Sequence, residues 1–96
     1  MKFMVTWEVH DHARHDALAA FSHMTDEELA ADTGDDIRMI GRWHDLAGFT
    51  GVAICESDSA EAMANFALNW NEILDIDVRM VFDDDEARAI GRARAK

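Results

Sequence analysis

The sequence predicts an α+β domain with ferredoxin-like βαββαβ order, in which a four-stranded antiparallel sheet carries two helices on one face, followed by a C-terminal helical tail. Three observations predict it. Four separate runs alternate apolar residues with a period of two. The outer runs are each divided from the middle ones by a stretch whose apolar residues recur every three or four positions. The two middle runs are joined only by a short loop of hairpin length, which is the split βαβ pattern. At 96 residues, 49% apolar and 30% charged, the chain is long enough for one core and too short for two.

The first strand is Lys2–Val9, where Phe3, Val5, Trp7 and Val9 alternate with Met4, Thr6 and Glu8. Over residues 11–24 the period lengthens, and Ala17, Leu18, Phe21 and Met24 form the stripe of a helix lying on the sheet. Thr25 is followed three residues later by Glu28, a capping-box pattern for either a second short helix ending at Gly34 or a kinked continuation of the first. Residues 36–44 and 49–56 are the two hairpin strands, linked through Asp45, Leu46, Ala47 and Gly48. Asp58 and Glu61 open the next helix, whose stripe is Met63, Phe66, Ala67, Trp70, Ile73 and Leu74. Residues 75–82 form the last strand, with Ile76, Val78, Met80 and Phe82 on one side and Asp77, Arg79 and Val81 on the other. Acids at 83–86 and bases from Arg88 onward suit the two ends of a helix dipole. The domain therefore covers residues 1–87, and residues 88–96 are a basic tail expected to be a fraying helix.

Strand phase assigns side chains to faces. Toward the helices go the large apolar residues of the outer strands, with Ile37, Met39 and Trp43, and Val52 and Ile54 across the hairpin. The free face is left with Met4, Thr6, Glu8, Arg38, Ile40, Arg42, His44, Asp77, Arg79 and Val81. Gly41 and Gly51 inside strands mark a bulge or a close backbone approach.

Charge excludes one class of partner. The formal net charge is −11, and four of the nine bases (Arg88, Arg92, Arg94 and Lys96) sit at the very end, so residues 1–87 hold 20 acids against 5 bases, or −15. Such a body repels phosphate backbones, and no nucleic acid partner is expected. No apolar run approaches the roughly 20 residues of a membrane span. A single Cys55 and the absence of a signal-like opening point to a reducing cytoplasm.

The segments Met1-Lys2-Phe3-Met4-Val5-Thr6-Trp7, Gly41-Arg42-Trp43-His44 and Trp70-Asn71-Glu72-Ile73-Leu74-Asp75, with Val78 and the acidic run from Asp83, resemble the small bacterial family called domain of unknown function 3303. The resemblance covers most of residues 1–87. It implies the ferredoxin-like arrangement and a likeness to dimeric α/β barrels, and it supplies no catalytic or binding residues. Two features depart from the family pattern: residues 25–36 form an acidic insert without proline, and Met80 stands where proline is common.

The candidate ligand-binding set is Arg42, His44, Glu8 and Arg79, expected together on the free sheet face. An arginine can clamp a carboxylate through two hydrogen bonds, and a histidine titrates near neutral pH. The competing reading pairs Glu8 with Arg79 on neighbouring strands and matches Arg42 to an acid on a partner subunit. His10, His12, His15 and Asp16 form a second cluster, in which His12 and Asp16 have the i, i+4 spacing of metal ligands; a solvated helix start is the simpler reading, and no metal is expected. Trp7, Trp43 and Trp70 read as packing residues, and nothing cationic is placed to activate Cys55 except Arg38. The leading expectation is a homodimer that binds a small anionic molecule on the free sheet face without a cofactor. One alternative, by fold analogy, is a cofactor-free monooxygenase- or isomerase-like enzyme of the dimeric α/β-barrel type. A metal-binding or regulatory interaction module using the histidines or the tail is the other.

Overall fold

A computed structural model describes residues 1–95. Strand β1 (Lys2–Val9) leads through a 3-10 turn at Asp11–Ala13 into α1 (Arg14–Ser22). The acidic insert forms its own helix, α2 (Asp26–Thr33). Its capping box is complete: the Glu28 amide donates to Thr25 Oγ1 at 3.1 Å and the Thr25 amide to Glu28 Oε1 at 3.3 Å. Gly34 closes it at φ 75°, a conformation that favours glycine. A separate helix, not a kink, therefore occupies 26–33.

The hairpin is β2 (Arg38–Asp45) and β3 (Thr50–Glu56), followed by α3 (Ala60–Leu68), β4 (Leu74–Val81) and α4 (Asp84–Arg94). The third helix is shorter than its apolar stripe. It stops at Leu68, and Trp70 and Ile73 lie in the turn that follows, where the Ile73 and Leu74 amides donate to the Trp70 carbonyl at 3.0 Å. Helix α4 begins with a second complete capping box, Asp83 with Glu86, and has no buried residue. Lys2 ties it to the sheet, with Nζ 3.0 Å from Glu86 and 3.4 Å from Asp83. The basic tail is the second half of this helix; Lys96 lies outside the described residues. Among the described residues no helix is long and apolar enough to cross a membrane.

The four strands form one antiparallel sheet in the order β2-β3-β1-β4. Residues directly opposite on neighbouring strands share a face, so register settles orientation. Phe3, Val5 and Trp7 lie opposite Cys55, Ala53 and Gly51 on one side and Met80, Val78 and Ile76 on the other. This face carries the core, in which Phe3, Val5, Ile37, Ala53 and Cys55 meet Met63 and Phe66 of α3.

Register also overturns part of the expected face assignment. Val52 and Ile54 pair with Thr6 and Met4, so they lie on the free face and not under the helices. Bulky Phe3 and Trp7 require small neighbours, which β3 supplies as Cys55, Ala53 and Gly51. A larger correction comes from β2, where the register slips between Met39 and Gly41: Met39 pairs with Cys55, yet Gly41 pairs with Ile54. The extra residue is a β-bulge, and beyond it every side chain changes sides. Arg42 and His44 consequently pair with Ala53 and Gly51 on the helix-bearing face, whereas Trp43 pairs with Val52 on the free face. Trp43 is 59% exposed, its ring lying over Gly41, where any Cβ would collide with it.

Candidate functional site

A cavity of about 90 Å³ opens between the sheet and helices α1 and α3. Trp7 forms part of its floor. Its ring crosses β3 over Gly51 and meets His44 edge-on, with ring centroids 5.5 Å apart. Phe21, from the apolar stripe of α1, stacks tilted on the His44 ring at 4.9 Å and lies under the Arg42 guanidinium at 5.6 Å. Trp70 and Phe49 complete the aromatic walls.

Phe49 reaches this position through an unusual backbone. It is the one described non-glycine residue with positive φ, at 52°. Asp45 builds the turn before it, accepting hydrogen bonds from the Ala47 and Gly48 amides at 3.1 Å each. The Phe49 carbonyl then accepts from the Val9 amide at 2.9 Å, which holds the turn against the end of β1. Strain at such a residue is a feature of sites where a side chain must be aimed.

The polar groups are few and distinctive. Arg42 has no carboxylate within ion-pair distance among the described residues, in a chain that carries 20 acids. His44 is exposed overall, but Trp7 and Phe21 cover its ring. Removal from water, followed by the positive charge of Arg42, holds its pKa below the ordinary 6.5. At neutral pH the rim therefore presents one fixed cation beside a neutral imidazole. Arg42 also acts on Cys55, where burial raises the thiol pKa and the arginine partly offsets it. With no exposed surface, Cys55 is a protonated core residue.

Of the four expected ligand-binding residues, the structure brings together two. Arg42 and His44 meet at the cavity, while Glu8 and Arg79, in phase with Met4 and Thr6, lie across the sheet on its free face. The expected clustering on the free face fails because of the bulge. The competing Glu8–Arg79 pair does not form either. Glu8 lies opposite Asp75 and its carboxylate is 3.8 Å from Arg14, and Arg79 is 3.7 Å from Asp77. His44 and Glu8 therefore cannot act as an acid–base pair.

In the second histidine cluster, His10 Nε2 lies 3.0 Å from Asp75 Oδ1 and His15 packs edge-on against Phe49 at 5.2 Å. His12 and Asp16 are exposed. Among the described residues, no group of three or more His, Cys, Asp or Glu side chains could hold a metal ion.

The aromatic walls are what sequence reasoning missed as a site. Trp7, Phe21 and Trp70 fall in the apolar phase of their segments and look like ordinary core, yet each stays only half-buried. A readable signal was Gly51, since a strand glycine facing a large ring often marks a place where that ring lies flat across the sheet.

A protein-family model described as Domain of unknown function (DUF3303) matches residues 1–95. No curated protein matches the chain.

Proposed function

Because the chain belongs to the family described as Domain of unknown function (DUF3303), a description that assigns no chemistry, we propose a function from the cavity itself: the domain binds a small amphipathic organic anion and works as a homodimer. The observation that carries the binding role is Arg42 at an aromatic cavity, with no carboxylate in ion-pair range among the described residues. A guanidinium left without a carboxylate in so acidic a chain is a counter-charge held in reserve, and a ligand carboxylate can engage it through two parallel hydrogen bonds. Neutral His44 adds a hydrogen-bonding group without a second charge. The apolar part of the ligand rests among Trp7, Phe21, Phe49 and Trp70. At about 90 Å³ and open to solvent, the cavity is smaller than the roughly 150 Å³ apolar cavity that encloses benzene, so it takes up part of a single ring or short chain and leaves the carboxylate at the rim beside Arg42.

Titration calorimetry with benzoate and hexanoate tests this reading. Wild-type protein is expected to take up at least one of them, and Arg42→Ala to weaken it by about 10- to 100-fold, the worth of a charged hydrogen-bonded clamp. Equal affinity in the variant, or no uptake of either acid by the wild type, sinks the proposal.

The dimer rests on the other face. Met4, Val52, Ile54 and Trp43 share it, and helices α1 and α3 both lie on the opposite side. An apolar stripe of this kind is normally covered. Seen from the β4 edge, the strand order β4-β1-β3-β2 with helices on one face supports the ferredoxin-like reading, in which the free faces of two copies can stack. The bases on this face are answered within the chain, Lys2 by Glu56, Asp83 and Glu86, Arg38 by Glu56 and Arg79 by Asp77, so the apolar stripe alone carries the dimer reading. Sedimentation at micromolar concentration in physiological salt is expected to give about twice 10.8 kDa, and Trp43→Asp to give a monomer. A monomeric wild type would overturn it. A buried, unpaired Cys55 supports a reducing cytoplasm as the setting.

A further inference from the structure

We propose that Asp32, on the acidic insert helix, is a positioning residue that holds Trp70 in place as a wall of the ligand cavity. The inference rests on reading that cavity as a ligand site. Trp70 lies beyond the end of α3, in a turn, so its ring direction is not imposed by a helix. What holds it is the Asp32 carboxylate, which accepts the indole Nε1–H with both oxygens, at 2.9 and 2.8 Å. Beside it, Asn69 Nδ2 donates to the Asp32 carbonyl at 3.0 Å and to its Oδ1 at 3.1 Å.

The rest of α2 contributes little to the body of the protein. None of its residues is buried, and its hydrogen bonds to α3 and the following turn converge on Asn69 and Trp70. An ordinary packing helix would bury an apolar stripe; this one instead delivers a carboxylate to a single ring. An indole N–H facing an apolar cavity without an acceptor would be driven to turn toward water and take the wall with it. Asp32 removes that choice. The cavity side of Trp70 is then left wholly apolar, as the body of an amphipathic anion requires.

Indole N–H resonances and benzoate affinity, measured on the wild type, Asp32→Ala, Asp32→Asn and Asn69→Ala, test the proposal. In Asp32→Ala the Trp70 indole signal should shift, its hydrogen exchange should accelerate about tenfold, and benzoate should bind about tenfold more weakly, as for the loss of one charge-assisted hydrogen bond. Asp32→Asn keeps an acceptor and should recover part of both effects. Asn69→Ala removes the neighbouring tether but leaves the indole bonds, and should resemble the wild type. An unmoved Trp70 signal in Asp32→Ala overturns the proposal. So does a moved signal with unchanged affinity, because the held ring would then be no wall of the ligand site, or an Asn69→Ala variant as weak as Asp32→Ala, because Asp32 would then act only as a tether for α2. If the wild type takes up no benzoate while the Trp70 signal responds as described, the hold on Trp70 stands and the ligand reading alone falls.

Discussion

Phe66→Ala is expected to lower stability by about 3–5 kcal/mol, the usual cost of deleting a large buried aromatic side chain. Phe66 is 7% exposed and packs with Met63 of α3 against Phe3, Val5 and Cys55. Its ring also lies beneath the cavity, so its loss would join the cavity to the core and leave a larger void. Small domains have only about 5–15 kcal/mol in hand, and a thermal midpoint read by far-ultraviolet circular dichroism should fall by more than roughly 10 °C. A shift of one or two degrees would mean that α3 is not the element closing the core.

Gly51→Val should act on fold and site together. Gly51 lies between His44 and Trp7 in one row across three strands, and a Cβ there would overlap the six-membered ring of Trp7. The strand cannot retreat without breaking its ladder, so the ring must leave the face of β3. Overpacking of this kind costs about 1–3 kcal/mol. The displaced ring would also uncover His44 and remove the cavity floor, so tryptophan emission should shift to the red and benzoate affinity should collapse. An unchanged emission spectrum with retained binding would contradict the placement of Trp7.

The elements were legible because their signals are local. Period-two alternation located β1 and β4, the pair Thr25 with Glu28 marked the start of α2, since a capping box needs residues only three apart, and acids followed by bases marked α4. Gly41 and Gly51 stood out as places of bulge or close approach, and both lie beneath a tryptophan ring. The length of α3 was less legible. Its stripe runs on through Trp70 and Ile73, but apolar spacing alone does not distinguish a continuing helix from a turn that packs on the same core.

Half of the candidate site was legible. Arg42 was recognisable as an arginine in an otherwise acidic body and His44 as a group titrating near neutral pH, and two positions apart on a strand they must share a face. Which face was not readable, because phase carried from Met39 onward assumes an unbroken ladder. One unpaired residue at the bulge sends both under the helices and sends Trp43 out.

The sequence by itself determined the order and type of the elements, the acidic character of the body and the pairing of Arg42 with His44, since each depends on contacts within a few residues or on composition alone. Only the tertiary structure decided that those two residues meet Trp7 and Phe21 and share a cavity with Phe49 and Trp70, rather than a sheet face with Glu8 and Arg79. Those meetings depend on strand register, on a single inserted residue and on a carboxylate reaching across 38 positions from Asp32 to Trp70, and none of these leaves a periodic trace in the chain.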